Sequence, residues 1–205
     1  MTTLLVTFAS YALGCFSTAY YLFRFSTGSD IRNRGSGNAG ARNIGRQLGS
    51  LAFIATFLID FTKGAATVWL ARYFELGDAN VVIAMLAVVA GHVWPAQLGF
   101  RGGKGIATAI GALVAFDHRL PIPSIVIFGI AAPLFRNLTL GGLVAIALTP
   151  VAAAIFHRTA VEIVGAVILT AIVIFAHRGD LGEIFANTPA DSDDTHDPLL
   201  KRRQQ

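Results

Sequence analysis

About seven apolar runs, parted by short polar stretches, divide the chain: residues 3–25, 51–72, 79–98, 105–116, 124–135, 138–156 and 160–176. Most approach the roughly 20 residues that a helix needs to cross a bilayer. The fourth and fifth are too short for a straight crossing, so they are expected to be tilted, re-entrant or packed inside the bundle. Pro121 and Pro123 open the fifth. The first run holds one charge, Arg24 near its end, and lacks a basic leader and a small-residue cleavage site, so it reads as a permanent helix. The pattern predicts an all-α membrane protein of about seven transmembrane helices, with one integral membrane domain over 1–186. Residues 187–205, where Asp191, Asp193, Asp194 and Asp197 precede Lys201, Arg202 and Arg203, read as a disordered cytoplasmic tail.

Composition agrees on the solvent. Hydrophobic residues make up 54% and charged residues 14%, and the mean hydropathy is +0.62, more apolar surface than one soluble core of this length buries. Cys15 is the single cysteine, which excludes an intramolecular disulfide and a cysteine metal cluster. The net charge of +4 would suggest nucleic acid in a soluble chain, but these cations flank apolar runs, where topology explains them. Placing the loop 26–50 in the cytoplasm gathers Arg24, Arg32, Arg34, Arg42, Arg46, Arg101, Lys104, Arg136 and Arg178 on one side. The N-terminus is then outside and the C-terminus cytoplasmic.

Three polar islands therefore meet at one membrane face. In 99–108, Gly99, Gly102, Gly103 and Gly105 surround Arg101 and Lys104 just before an apolar run. Amides free of Cβ bulk, two cations and a helix N-terminus would together seat an anion. The plain alternative is a basic turn that anchors two helices to headgroups. It is not a P-loop, because Lys104 is followed by Gly105 and the spacing before Gly102 is too short. The island 32–46 offers Ser36, amides at Asn33, Asn38 and Asn43, and arginines suited to phosphate, or else is a flexible connector. The third, 177–183, carries His177 and Asp180. Within the second run, Asp60 and Lys63 lie three apart on one helical face, as a structural ion pair or as positive field beneath the seat. His92 reads as structural near the end of the third run, and His118 and His157 fall on the far side.

SGNAGARN at 36–43, IDFTKG in the second run, GHVWP followed by GFRGGKGIAT at 91–108, and HRGD at 177–180 resemble, in order and spacing, the motifs of the bacterial acyl-phosphate glycerol-3-phosphate acyltransferase family. The resemblance runs from the first apolar run to about Glu183. It implies a multi-pass enzyme of the bacterial inner membrane with its active site facing the cytoplasm. Such an enzyme moves a fatty acyl group from acyl phosphate to glycerol 3-phosphate, giving lysophosphatidic acid for phospholipid synthesis, with no metal or other cofactor. By that similarity Ser36, Lys104 and His177 are the catalytic candidates. Arg46, Asn38, Gly37, Gly102, Gly103, Gly105 and Thr108 would bind the two anionic substrates, with Lys104 an electrophile rather than a nucleophile. The family's threonine in the first motif is Arg42 here, and its asparagine in the last is Asp180. The expectation is that Arg42 pairs with Asp180 and offsets the added negative charge. Gly142 stands where the family has a serine, which touches the identity of the acceptor. Two readings from other classes stay open: a transporter of phosphorylated compounds, and an inactive or altered-acceptor relative that binds anionic lipid.

Overall fold

The computed structural model describes residues 1–156 and 158–186, so His157 and the expected disordered tail at 187–205 lie outside the described residues. Among these, every element is helical. The first apolar run is broken rather than continuous: α1 (Thr2–Cys15) and α2 (Thr18–Thr27) part at Phe16 and Ser17. The last carbonyls of a helix lack partners inside it, and here distant side chains supply them. Lys63 Nζ donates to the carbonyls of Gly14 at 3.1 Å and Phe16 at 2.7 Å, and Gln97 Nε2 donates to that of Cys15 at 2.6 Å. The polar loop 26–50 contains a one-turn 3-10 segment Ile31–Asn33 and a short helix α3 (Ala41–Leu48).

The long helices α4 (Ser50–Tyr73) and α5 (Asp78–Val93) follow. Then come α6 (Ile106–Phe116), α7 (Pro121–Leu134), α8 (Leu138–Ala147), α9 (Thr149–Ile155), α10 (Ala160–Ala176) and α11 (Arg178–Ala186). Among the described residues, four segments are long and apolar enough to cross a membrane: Thr2–Thr27, Ser50–Tyr73, Asp78–Leu98 and Leu138–Ile155. The pair α10 and α11, bent by 59°, brings the number to five if it counts as one broken span rather than a re-entrant turn. At 11 and 14 residues, α6 and α7 are apolar but short, as their sequence runs predicted. Leu4, Phe8, Leu51, Trp69, Ile130 and Ile155 all stand exposed on the outer surface. A belt of that kind is stable against lipid tails and not against water.

Bare backbone lets the helices approach closely. A Cβ on Gly64 of α4 would collide with the Thr108 carbonyl, and one on Gly111 of α6 with the Phe61 carbonyl. The α1–α5 crossing repeats the device, with Gly14 against the Val88 carbonyl and Gly91 against that of Tyr11. Small residues at crossings substitute close packing for the hydrophobic drive that lipid removes. Val68, Val81, Val88, Val89, Ala109, Leu169 and Val173 fill the core between α4, α5, α6 and α10. A second cluster, Ala19, Phe23, Ile31, Ala39, Ile44 and Ala52, lies beneath the loop and fastens it to α2, α3 and α4.

Candidate active site

The loop 30–40 is held from both ends. Asp30 accepts from the Arg32 amide at 2.9 Å and pairs with its guanidinium at 2.7 Å. Arg32 Nη1 reaches across to the Leu98 carbonyl, and its guanidinium carbon sits 5.1 Å from the Tyr20 ring centroid. The hydrogen bonds from Arg32 hold the Asp30 carboxyl below the usual carboxylate range, and the same bonds raise the guanidinium. Inside the loop, the buried Asn43 amide donates to the carbonyls of Arg34 and Asn38, each at 3.0 Å, and its oxygen accepts the Ser36 N–H at 3.2 Å. Asn43 therefore staples the loop that presents Ser36.

The depressed carboxyl gives a pH expectation with a definite sign. The Asp30–Arg32 tether contributes fully above the ordinary carboxylate value and is lost as the pH falls through the lower folded one. Asp30→Asn should loosen the loop at every pH above that lower value, raising the KM for a ligand held by Ser36 by about 5-fold, on the scale of ~1 kcal/mol. A KM unchanged between the two proteins at pH 7 would show that the tether does not shape the loop.

The glycine turn folds back on the end of α5. Gly102 N–H donates to the Val93 carbonyl and Gly103 N–H to that of His92, both at 3.1 Å. This corrects the expectation that Gly102 and Gly103 offer amides to an anion, because both donors are spent in the backbone. Gly105, at φ 83°, caps α6, whose first amides at Ile106, Ala107 and Thr108 have no acceptor in the described chain. What the turn brings forward is charge: Arg101 and Lys104.

Lys104 Nζ donates to both carboxylate oxygens of Asp180. The pair is about a quarter exposed on each side. Arg42 instead donates to Thr139 Oγ1 at 2.8 Å. The expected Arg42–Asp180 pair is therefore replaced by Lys104–Asp180: Asp180 starts α11 beside the turn, while Arg42 faces the start of α8.

One open cleft of about 230 Å³ joins the three polar islands. Its wall takes Ser36, Gly37 and Asn38 from the loop, Phe100 to Lys104 from the turn, Val93 and Trp94 from the end of α5, and Ala176 and Arg178 from the α10–α11 corner. Residues 140 positions apart in sequence are thus neighbours, and Arg101, Lys104 and Arg178 all line the space. Other candidates lie off this wall. Arg46 is exposed on α3, with no side-chain hydrogen bond or ion pair among the described residues. Thr108 is fully buried, and its hydroxyl has no partner. His177 is 3% exposed; its Nδ1 lies 2.8 Å from the Val173 carbonyl, and it is close enough to Lys104 and Asp180 to feel both charges. Sequence reasoning missed Asn43 as the loop's staple and Arg32 as its tether. The Asp30-x-Arg32 spacing was the one local signal for the second.

The chain is similar to known proteins over most of its length. The profile of a family described as glycerol-3-phosphate acyltransferase matches residues 4–187. A relative named glycerol-3-phosphate acyltransferase 1, from Desulfitobacterium hafniense (strain Y51), is 38% identical over 184 residues, covering 90% of this chain and 91% of its own. Two crystal structures of PlsY (YgiH), an integral membrane glycerol 3-phosphate acyltransferase, share the fold. Its glycerol 3-phosphate form superposes with a TM-score of 0.85 at 27% identity, and its lysophosphatidic acid form with 0.83 at 25%. Each match covers 91% of this chain and 93% of that chain. With a family profile spanning nearly all the described residues and a close relative matched over most of both lengths, the chain belongs to the glycerol-3-phosphate acyltransferase family, integral membrane proteins of helical fold.

Proposed function

We propose that this chain transfers a fatty acyl group from acyl phosphate to a hydroxyl of glycerol 3-phosphate, releasing lysophosphatidic acid and inorganic phosphate. The observation that carries this reading is the single cleft where the loop of Ser36, the turn of Lys104 and the α10–α11 corner meet, with three cationic side chains on its wall. Two anions repel each other, so a site that brings them together must be cationic. The relatives named for glycerol 3-phosphate acylation, and the PlsY forms holding glycerol 3-phosphate and lysophosphatidic acid, support the acceptor and product.

In the proposed step, the glycerol hydroxyl oxygen attacks the acyl carbonyl carbon and forms the ester bond. The bond from that carbon to the bridging phosphate oxygen breaks. Phosphate departs and, as a base, takes the hydroxyl proton. Lys104 stabilises both the developing oxyanion and the departing phosphate, the charges that grow in the transition state. Ser36, Gly37 and Asn38 face the glycerol phosphate, and Arg101 and Arg178 add positive field. The buried His177 steadies the corner from which Arg178 and Asp180 project. The acyl chain leaves the cleft beside Val93, Trp94 and Phe100 into lipid. We place the cleft on the cytoplasmic side of a bacterial inner membrane, where the basic loops gather, with α6 and α7 completing seven crossings, the N-terminus outside and one domain over 1–186.

Asp180 competes with substrate for Lys104 in this scheme. Asp180→Asn is expected to lower the KM for the anionic substrates about 5-fold, the scale of a partly exposed ion pair. A higher KM would mean that Asp180 holds Lys104 in its working place. The function itself is tested by incubating purified protein in lipid with glycerol 3-phosphate and either palmitoyl phosphate or palmitoyl-CoA. Lysophosphatidic acid from the phosphate donor alone is the expected result. Product from the thioester alone would replace the donor, and no product from a folded sample would end the reading.

A further inference from the structure

Behind the turn lies a buried charged cluster that the proposed reaction does not use. Asp60 and Lys63 of α4 are 2% and 4% exposed and pair at 3.0 Å. Thr18 Oγ1 donates to the same Asp60 oxygen at 3.0 Å. Lys63 Nζ also donates to the carbonyls of Gly14 and Phe16 at the break between α1 and α2, and stands 2.9 Å from His92 Nδ1. An ammonium has only protons to offer and no lone pair. Its three protons face four acceptors, the Asp60 carboxylate, the Gly14 and Phe16 carbonyls and His92 Nδ1, and a ring nitrogen that accepts one of them leaves the imidazole proton on Nε2.

That second nitrogen points at the turn. A Cβ built on Gly103 would collide with His92 Nε2, and the Gly103 N–H donates to the His92 carbonyl at 3.1 Å. His92 therefore touches Gly103 through both its ring and its backbone, one residue before Lys104. A cluster serving only to hold helices together has no need to end on this ring. Paired buried charges are costly to assemble and no strong source of stability by themselves. Their reach to the turn gives them a second task.

We propose that Lys63 is a positioning residue for the anion seat: by fixing the tautomer and plane of His92, it sets the Gly102–Gly103 turn against α5 and so places Lys104 in the cleft. This rests on the reading of the cleft as the acyltransfer site. It extends that reading to a chain of contacts running from the α1–α2 break, through α4 and α5, to the cation.

The test uses full-length protein in lipid nanodiscs, labelled with ¹⁵N-histidine, of which the chain has five. The His92 signal, assigned by its loss in His92→Asn, should report the Nε2–H tautomer in the wild type and lose that state in Lys63→Met. Lys63→Met should also lower kcat about 10–100-fold, the usual scale for a residue that orients another. His92→Gln, which keeps an N–H donor near the position of Nε2, should retain about 10-fold more activity than His92→Asn at a similar melting temperature. An unchanged tautomer in Lys63→Met overturns the proposal. So does a loss of rate in all three variants that follows only the fraction of folded protein. The NMR readout needs no turnover, so a wild type that forms no lysophosphatidic acid would end the functional reading while the tautomer result still decides the positioning.

Discussion

Lys104→Ala should lower lysophosphatidic acid formation by about 10²–10³-fold, the cost of removing one donor aimed at developing charge. Its melting temperature should stay close to that of the wild type, because Lys104 is part-exposed and its ammonium, among the described residues, bonds only to Asp180. The size of the effect follows from the turn's own geometry. With the Gly102 and Gly103 amides bonded to Val93 and His92, no backbone donor from those two residues replaces the lost ammonium. Arg101→Ala, at an exposed position on the same wall, should cost less, about 10-fold and mainly in KM, as suits a rim charge. Rates measured at saturating and limiting acyl phosphate separate the two. A Lys104→Ala protein that keeps a tenth of the wild-type rate would remove the residue from the centre of the scheme.

Gly64→Val or Gly111→Val should be the most damaging change to the fold. Each new side chain would meet a carbonyl of the facing helix, those of Thr108 and Phe61. Backbone cannot rotate away as a side chain does, so the cost is at or above the 1–3 kcal/mol typical of overpacking. Forcing α4 from α6 also shifts the start of α6, and with it Gly105 and Lys104. The measurements are yield of monodisperse protein in detergent and melting temperature. Gly129→Val on α7, where an added Cβ meets nothing within 4 Å, is the control and should behave as the wild type. Equal melting temperatures for Gly64→Val and Gly129→Val would show that the α4–α6 contact is looser than described.

Much of this was legible in the chain. The apolar runs located the long helices within a few residues, because a lipid-facing helix announces itself by length and hydropathy. The three polar islands were read as one site, and the cleft joins them. What escaped was whatever depends on a distant partner. The break at Phe16 requires Lys63 and Gln97 as outside donors, and nothing local in 3–25 marks it. Helices α3 and α11 are short and set among polar residues, and the helical spacing of Ala41, Ile44 and Leu48 in α3 went unread. Glycines around a lysine suggested free amides, yet the Gly102 and Gly103 donors go to α5. Asp180 found its cation in Lys104 rather than Arg42, since only the bend after α10 decides which basic residue it meets. The Asp60–Lys63 pair was visible from its spacing, but its reach to His92 was not.

The most direct test of the central claim is a crystal structure of this protein with glycerol 3-phosphate bound. The account requires the phosphate to lie in the cleft between Ser36 and Lys104, with the Lys104 ammonium turned from Asp180 to a phosphate oxygen. Phosphate bound elsewhere, with Lys104 and Asp180 still paired and the cleft empty, would contradict it.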